Sequence, residues 1–201
     1  PGGRRIDLKG WLRPIISNGV FLEVGCGGGG LLAAASTLRV QGIGVDVSML
    51  WLQLAARMIR ASGATPVLAA AMAEALPLAD SSVNGVVSLD VIEHLNDPAP
   101  YLSEIDRVIA PGRHIALATP NRFSLGAEPH VYIWGVGWLP RPLQKHYVQW
   151  RLGEPYELTR LLSVRETTKL MRRFTRFDFS VLIPPISDYD TLFSNTVLLY
   201  C

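Results

Sequence analysis

Between residues 20 and 119 short apolar segments alternate with helical ones, and that alternation narrows the fold more than any other feature of the chain. Residues 20–24 (Val-Phe-Leu-Glu-Val) read as a buried strand, 25–30 as a turn, and 31–38 as the opening of a helix. A second strand follows at 42–46, and Ser48 is placed to cap a helix over 49–61 that Gly63 stops. Residues 66–69 and 85–89 read as the third and fourth strands. Asp97 and Pro98 can start a helix running to Ile109, Pro111-Gly112 turns the chain, and 114–119 form a fifth strand. Ser163 and Glu166 have capping-box spacing ahead of a helix ending near Phe174, and 177–183 and 196–200 read as a final pair of strands. Strands joined through helices imply a parallel sheet with right-handed crossovers, whose ligands sit at the carboxyl ends of the strands. Gly25, Asp46, Asp90 and Asn121 all fall at such ends.

With 201 residues, 49% of them hydrophobic and only 18% charged, the chain has enough apolar material for a sizeable core, which excludes wholesale disorder and favours one domain. No apolar run reaches the roughly 18–20 residues of a spanning helix, so no membrane span is expected. A net charge of +2 gives no nucleic-acid footprint, and a nucleic-acid partner is not expected. Cys26 and Cys201 are too few for a disulfide framework, and Cys26 within a glycine run suits a reduced, cytoplasmic setting. The chain begins Pro1-Gly2-Gly3-Arg4-Arg5 with no Met and no signal-peptide pattern, and is expected to be a fragment.

The glycine run is both Gly25-x-Gly27-x-Gly29 and Gly25-x-Gly27-x-x-Gly30, which fits two cofactor classes and, taken alone, also a plain tight turn. Glu23, two residues before it, suits a cationic ligand better than a pyrophosphate. Asp46, after the second strand, can accept both hydroxyls of a ribose. Leu89-Asp90 ends the fourth strand beside the same crevice. This acidic setting favours S-adenosylmethionine, with its sulfonium and ammonium, over NAD.

Five segments then resemble, in order and at the right spacing, the motifs of the class I S-adenosylmethionine-dependent methyltransferases. They are Phe21-Leu22-Glu23-Val24-Gly25-Cys26-Gly27-Gly28-Gly29, Gly44-Val45-Asp46-Val47-Ser48, Ala73-Glu74-Ala75-Leu76-Pro77-Leu78, the run 87–95 through Asp90-Val91-Ile92-Glu93-His94, and Arg107-Val108-Ile109-Ala110-Pro111-Gly112. The branch it resembles is the small-molecule enzymes that include the ubiquinone-biosynthesis O-methyltransferases. The resemblance spans about residues 20–120 and implies an α/β, Rossmann-like seven-stranded sheet of order 3-2-1-4-5-7-6, the seventh strand antiparallel. The length favours a single domain over 1–201, and the long segment after strand 5, 121–160, reads as an inserted substrate-side lid. The resemblance also implies Glu23, Gly25 and Gly27 at the methionine end of the cofactor, Asp46 at the ribose, Val47 against adenine and Ala73 at the adenine edge; Leu89 joins the expected cofactor site by its place at the end of the fourth strand. Met72 stands where the family often has an Asp that takes the adenine amino group, so adenine would rely there on backbone groups and stacking.

At the reacting end, Asp90-x-x-Glu93-His94 lies where the methyl group would point. Three readings stay open. The segment can simply begin a helix; Asp90 and His94 can activate an acceptor hydroxyl, with His94 as general base; or Asp90, Glu93, His94 and His130 can hold Mg²⁺ or Mn²⁺. The last reading resembles the metal-dependent small-RNA terminal 2′-O-methyltransferases, with Asp90 as a shorter first ligand. Trp134 and Trp138, in a segment without clear period, can stack on an acceptor ring, pack the insertion, or join two copies as a homodimer. Arg165, Lys169, Arg172, Arg173 and Arg176 form a basic stretch that reads first as a solvated face.

The expected activity is O-methylation of a hydroxyl on a small molecule, a sugar or glycoside foremost. The alternatives are N- or C-methylation of a natural product or quinone precursor, an NAD-dependent dehydrogenase, and a catalytically silent methyltransferase-like binding protein.

Overall fold

The apolar segments become the strands of one sheet. The computed structural model describes residues 13–16, 19–38, 40–157, 159–174, 178–182 and 196–200. After a short helix, α1 (Arg13–Ile16), the chain forms β1 (Val20–Val24), α2 (Gly30–Ser36), β2 (Gln41–Asp46), α3 (Met49–Ala61), β3 (Val67–Ala70), β4 (Val83–Leu89), α4 (Pro98–Val108) and β5 (Ile109–Pro120). β1 pairs in parallel with both β2 and β4, and β2 with β3. β6 (Ser180–Leu182) pairs antiparallel with β7 (Thr196–Tyr200), and the hydrogen-bonded order is β3-β2-β1-β4-β5-β7-β6. The class is the expected α/β, Rossmann-like one. Parallel strands are covered on both faces, and β1 and β4 accordingly bury Phe21, Leu22, Val24, Val86 and Val87 almost completely.

The chain divides into two compact units. The first falls within Pro1–Leu89 and Ala99–Leu117, the second within Asp90–Pro98 and Ala118–Tyr200. In the first, α3 has the expected bounds: the Ser48 hydroxyl accepts from the Trp51 N–H, and Leu52, Ala55 and Ile59 form the buried face. One expectation fails at β5. The helix expected to reach Ile109 stops at Val108, and the strand starts at Ile109 instead of His114. It runs through the Pro111-Gly112 pair because that stretch is exposed, where a missing N–H costs little, and Gly112 takes a φ of 70° that other residues resist.

The second unit contains 121–160, which is more regular than its sequence implies. It carries α5 (Arg141–Leu152), with Pro at its start and Gly153 in the left-handed conformation at its end. A small core of Ile133, Val136 and Val148 is flanked by Val131, Tyr147 and Tyr156. α6 (Val164–Met171) has the expected capping box, with Glu166 N–H donating to the Ser163 hydroxyl and Ser163 N–H to the Glu166 carboxylate. It ends earlier than Phe174 because the last turn tightens: Arg173 and Phe174 donate to Leu170 and Met171, three residues back. Of the final expected strands, 177 and 183 lie outside the described residues, as do Arg176 and Cys201. Among the described residues no helix is long and apolar enough to cross a membrane.

Candidate active site

The loop after β1 is built from left-handed glycines, with φ of 73° at Gly25, 46° at Gly27 and 74° at Gly29. A methyl group on Gly29 would lie 2.8 Å from the Ala55 side chain, so α3 packs directly against the loop. Gly25 and Cys26 N–H both donate to the Val45 carbonyl. Asp46 then ties the loop to the end of β2: Oδ2 accepts from Gly27 N–H at 2.9 Å, and Oδ1 from Ser48 N–H at 2.8 Å. A carboxylate has about four lone-pair sites, so two remain for a ligand. Ala71 N–H donates to the Asp46 carbonyl, which fixes the segment carrying Met72 and Ala73. Val47 and Met72 are 74% and 58% exposed. Leu89 is the last residue of β4. Every residue expected at the cofactor therefore lies in the first unit, at or just beyond the carboxyl end of a parallel strand.

Glu23 is the unusual member of the group. It is only 5% exposed and its Oε2 has no hydrogen-bond partner. Burial, followed by the negative charge of Asp46, pushes its carboxyl up to about 8, with a hydrogen bond at the Leu32 backbone opposing. Burial beside the same two carboxylates pushes the Cys26 thiol up to about 12, which makes it a packing residue and not a nucleophile.

A second cluster lies wholly in the second unit. A single 3₁₀ turn, Ile92–His94, carries Glu93 and His94. Glu93 is 1% exposed; its Oε2 accepts from the Thr119 hydroxyl at 2.9 Å and its Oε1 has no partner. Burial pushes its carboxyl up to about 7, and the charge of Asp90 adds to the rise. His130 reaches within 4.0 Å of that open Oε1 through Nε2, and its ring stands edge-on to His94 with centroids 4.9 Å apart. One ligand atom from each of Glu93, His94 and His130 falls within a 4.8 Å set, which Asp90 does not join. Asp90 instead holds a positive φ of 56° and donates its N–H to the Ala118 carbonyl.

Glu128 organises the cluster and had no assigned role in the sequence. It is 3% exposed. Its Oε2 accepts from the N–H groups of His130 and Val131, and its Oε1 lies 2.6 Å from His130 Nδ1. That hydrogen bond raises the His130 pKa and leaves Nε2 as the nitrogen facing Glu93. Its only sequence signal is Glu-x-His spacing in a loop, which is too common to single it out. The indole N–H groups of Trp134 and Trp138 donate to the carbonyls of Leu125 and Ser124, and both side chains stay more than half exposed.

A family profile described as a methyltransferase domain matches residues 22–117. The chain is 32% identical over 128 residues to a ubiquinone biosynthesis O-methyltransferase of Cereibacter sphaeroides, covering 60% of this chain and 50% of that one. It is 31% identical over 147 residues to the protein of the same name from Dinoroseobacter shibae, covering 71% and 57%. It thus spans about half the length of the curated relatives it matches. A crystal structure of an S-adenosylmethionine-dependent methyltransferase from Mesorhizobium loti shares the fold, with a TM-score of 0.66, 18% identity, and coverage of 96% of this chain and 98% of that one. Over residues 22–117 and in its fold the chain is similar to the S-adenosylmethionine-dependent methyltransferases.

Proposed function

We propose that the protein transfers the methyl group of S-adenosylmethionine to a hydroxyl of a small molecule. The clustering of Glu93, His94 and His130, with one ligand atom from each inside a 4.8 Å set, carries this reading. In the first unit, Glu23 receives the cofactor's ammonium, Asp46 the ribose, and Val47, Met72 and Ala73 the adenine. The acceptor oxygen attacks the methyl carbon as the carbon–sulfur bond breaks, and S-adenosylhomocysteine leaves. The hydroxyl proton passes to the His94 imidazole, while Asp90 acts through its negative charge on Glu93 and His130. Positioning supplies most of the remaining rate.

The relatives named for ubiquinone biosynthesis favour a quinone precursor as acceptor. A sugar or glycoside rests on the polar residues of the candidate site and on the exposed faces of Trp134 and Trp138, which would serve equally as a contact between two copies. Residues 121–160 are read as the segment that selects the acceptor.

A second reading is a divalent cation held by Glu93, His94 and His130. One carboxylate and two imidazoles fit Mn²⁺ better than Mg²⁺, which prefers an all-oxygen set. Such an ion would lower the pKa of a bound hydroxyl.

Labelled methyl transfer to quinone precursors and glycosides, with added Mn²⁺ or a chelator, tests both readings. His94→Ala and Glu93→Gln should each abolish most turnover while leaving S-adenosylhomocysteine affinity unchanged. Wild-type turnover in both variants would remove the proposed acceptor site. Turnover indifferent to the chelator would remove the cation.

A further inference from the structure

Within the second unit, the back of the turn that carries Glu93 and His94 faces a recess of about 260 Å³. That is just below the roughly 300–1,000 Å³ usual for small-molecule sites. Its apolar lining comes from Ile92, Leu95, Leu162 and Leu170. Three cations, Arg160, Lys169 and Arg173, reach the same recess from two parts of the chain. Lys169 lies in the last turn of α6, where a cation complements the helix dipole, and Arg173 follows two residues past the helix end. That explanation does not extend to Arg160, which precedes the helix. Among the described residues none of the three cations makes an ion pair. Two acidic residues also line the recess. Glu166 is already held by Arg141 and Ser163, and Asp97 is engaged as well. The recess therefore joins an apolar floor to three cations against two carboxylates, one of which is already paired with Arg141.

We propose that this recess binds a small amphipathic anion, a phosphate or carboxylate on a short apolar chain. The cations hold the charged group, and Ile92, Leu95, Leu162 and Leu170 cover the chain. Arg160 also donates its backbone N–H to the Glu93 carbonyl at 2.7 Å, so an occupant sits one hydrogen bond from the candidate acceptor cluster.

Calorimetric titration with hexyl phosphate and with inorganic phosphate tests the site. Hexyl phosphate should bind at least about tenfold more tightly than phosphate, because its chain buries apolar surface. Lys169→Gln/Arg173→Gln should weaken hexyl phosphate by about tenfold or more, since charge-assisted hydrogen bonds are lost. Far-UV circular dichroism and the melting temperature check that the double variant folds, and Arg160→Gln serves in its place if it does not. Unchanged hexyl phosphate affinity in the folded variant, or no binding to the wild type, would overturn the proposal.

Discussion

Glu23 holds a proton at neutral pH because its carboxyl is buried, faces Asp46 and has one oxygen without a partner. Its folded pKa, about 8, lies above the ordinary 4.5, so the folded chain keeps a proton that the unfolded chain loses between those values. Stability of the ligand-free protein should therefore fall as pH rises through that window, by at most about 1.4 kcal/mol per pH unit for one proton. A cationic ligand reverses the preference and expels the proton. S-adenosylhomocysteine titrated near pH 6.5, where its own amine stays charged, should release close to one proton from the wild type, as read by calorimetry in buffers of different ionisation enthalpy. Glu23→Gln should release none and bind roughly tenfold more weakly. Glu128 acts through His130. Glu128→Gln should lower turnover by about tenfold or more with cofactor affinity intact, which separates positioning from binding. The places of Glu23 and Asp46 were legible in the sequence because each lies near a strand end beside a glycine loop. Glu128 was not, because its role exists only once the loop folds back on its carboxylate.

Packing at the cofactor loop depends on α2 and α3 meeting without a side chain at Gly29. Gly29→Ala combines a left-handed φ of 74° with a methyl group 2.8 Å from Ala55, and should cost about 1–3 kcal/mol, read by denaturant unfolding, with a matching loss of S-adenosylhomocysteine affinity. The capping box of α6 predicts a pH dependence of opposite sign to Glu23. Burial opposes ionisation of Glu166, yet hydrogen bonds from Ser163 and Arg141 hold its carboxyl down at about 2. Its contribution is complete above the ordinary 4.5 and is lost as pH falls towards 2. Glu166→Ala should lower the melting temperature by about 2–4 °C at pH 7, and the difference should vanish in strong acid. α3 and α6 could be read because a hydroxyl cap fixed each start. α5 could not, because only Gln144 and Val148 turn inward while Leu143, Trp150 and Leu152 stay exposed, which leaves no apolar period. The long β5 was hidden by a Pro-Gly pair that ordinarily ends a strand.

The ordered run of strands and loops specified the class of fold, since four of the five motifs fall at or just beyond the carboxyl ends of β1, β2, β3 and β4, and the fifth leads into β5. The acceptor was not legible in the same way. It depends on a second unit whose core is small and whose tryptophans are exposed, so its sequence carries little periodic signal. Calorimetric titration of the folded chain with S-adenosylhomocysteine, beside NAD, bears most directly on the whole. Binding at about micromolar affinity, with no heat from NAD, is the result these residues predict. A folded chain that ignored S-adenosylhomocysteine, or took NAD in its place, would contradict the assignment of Glu23 and Asp46.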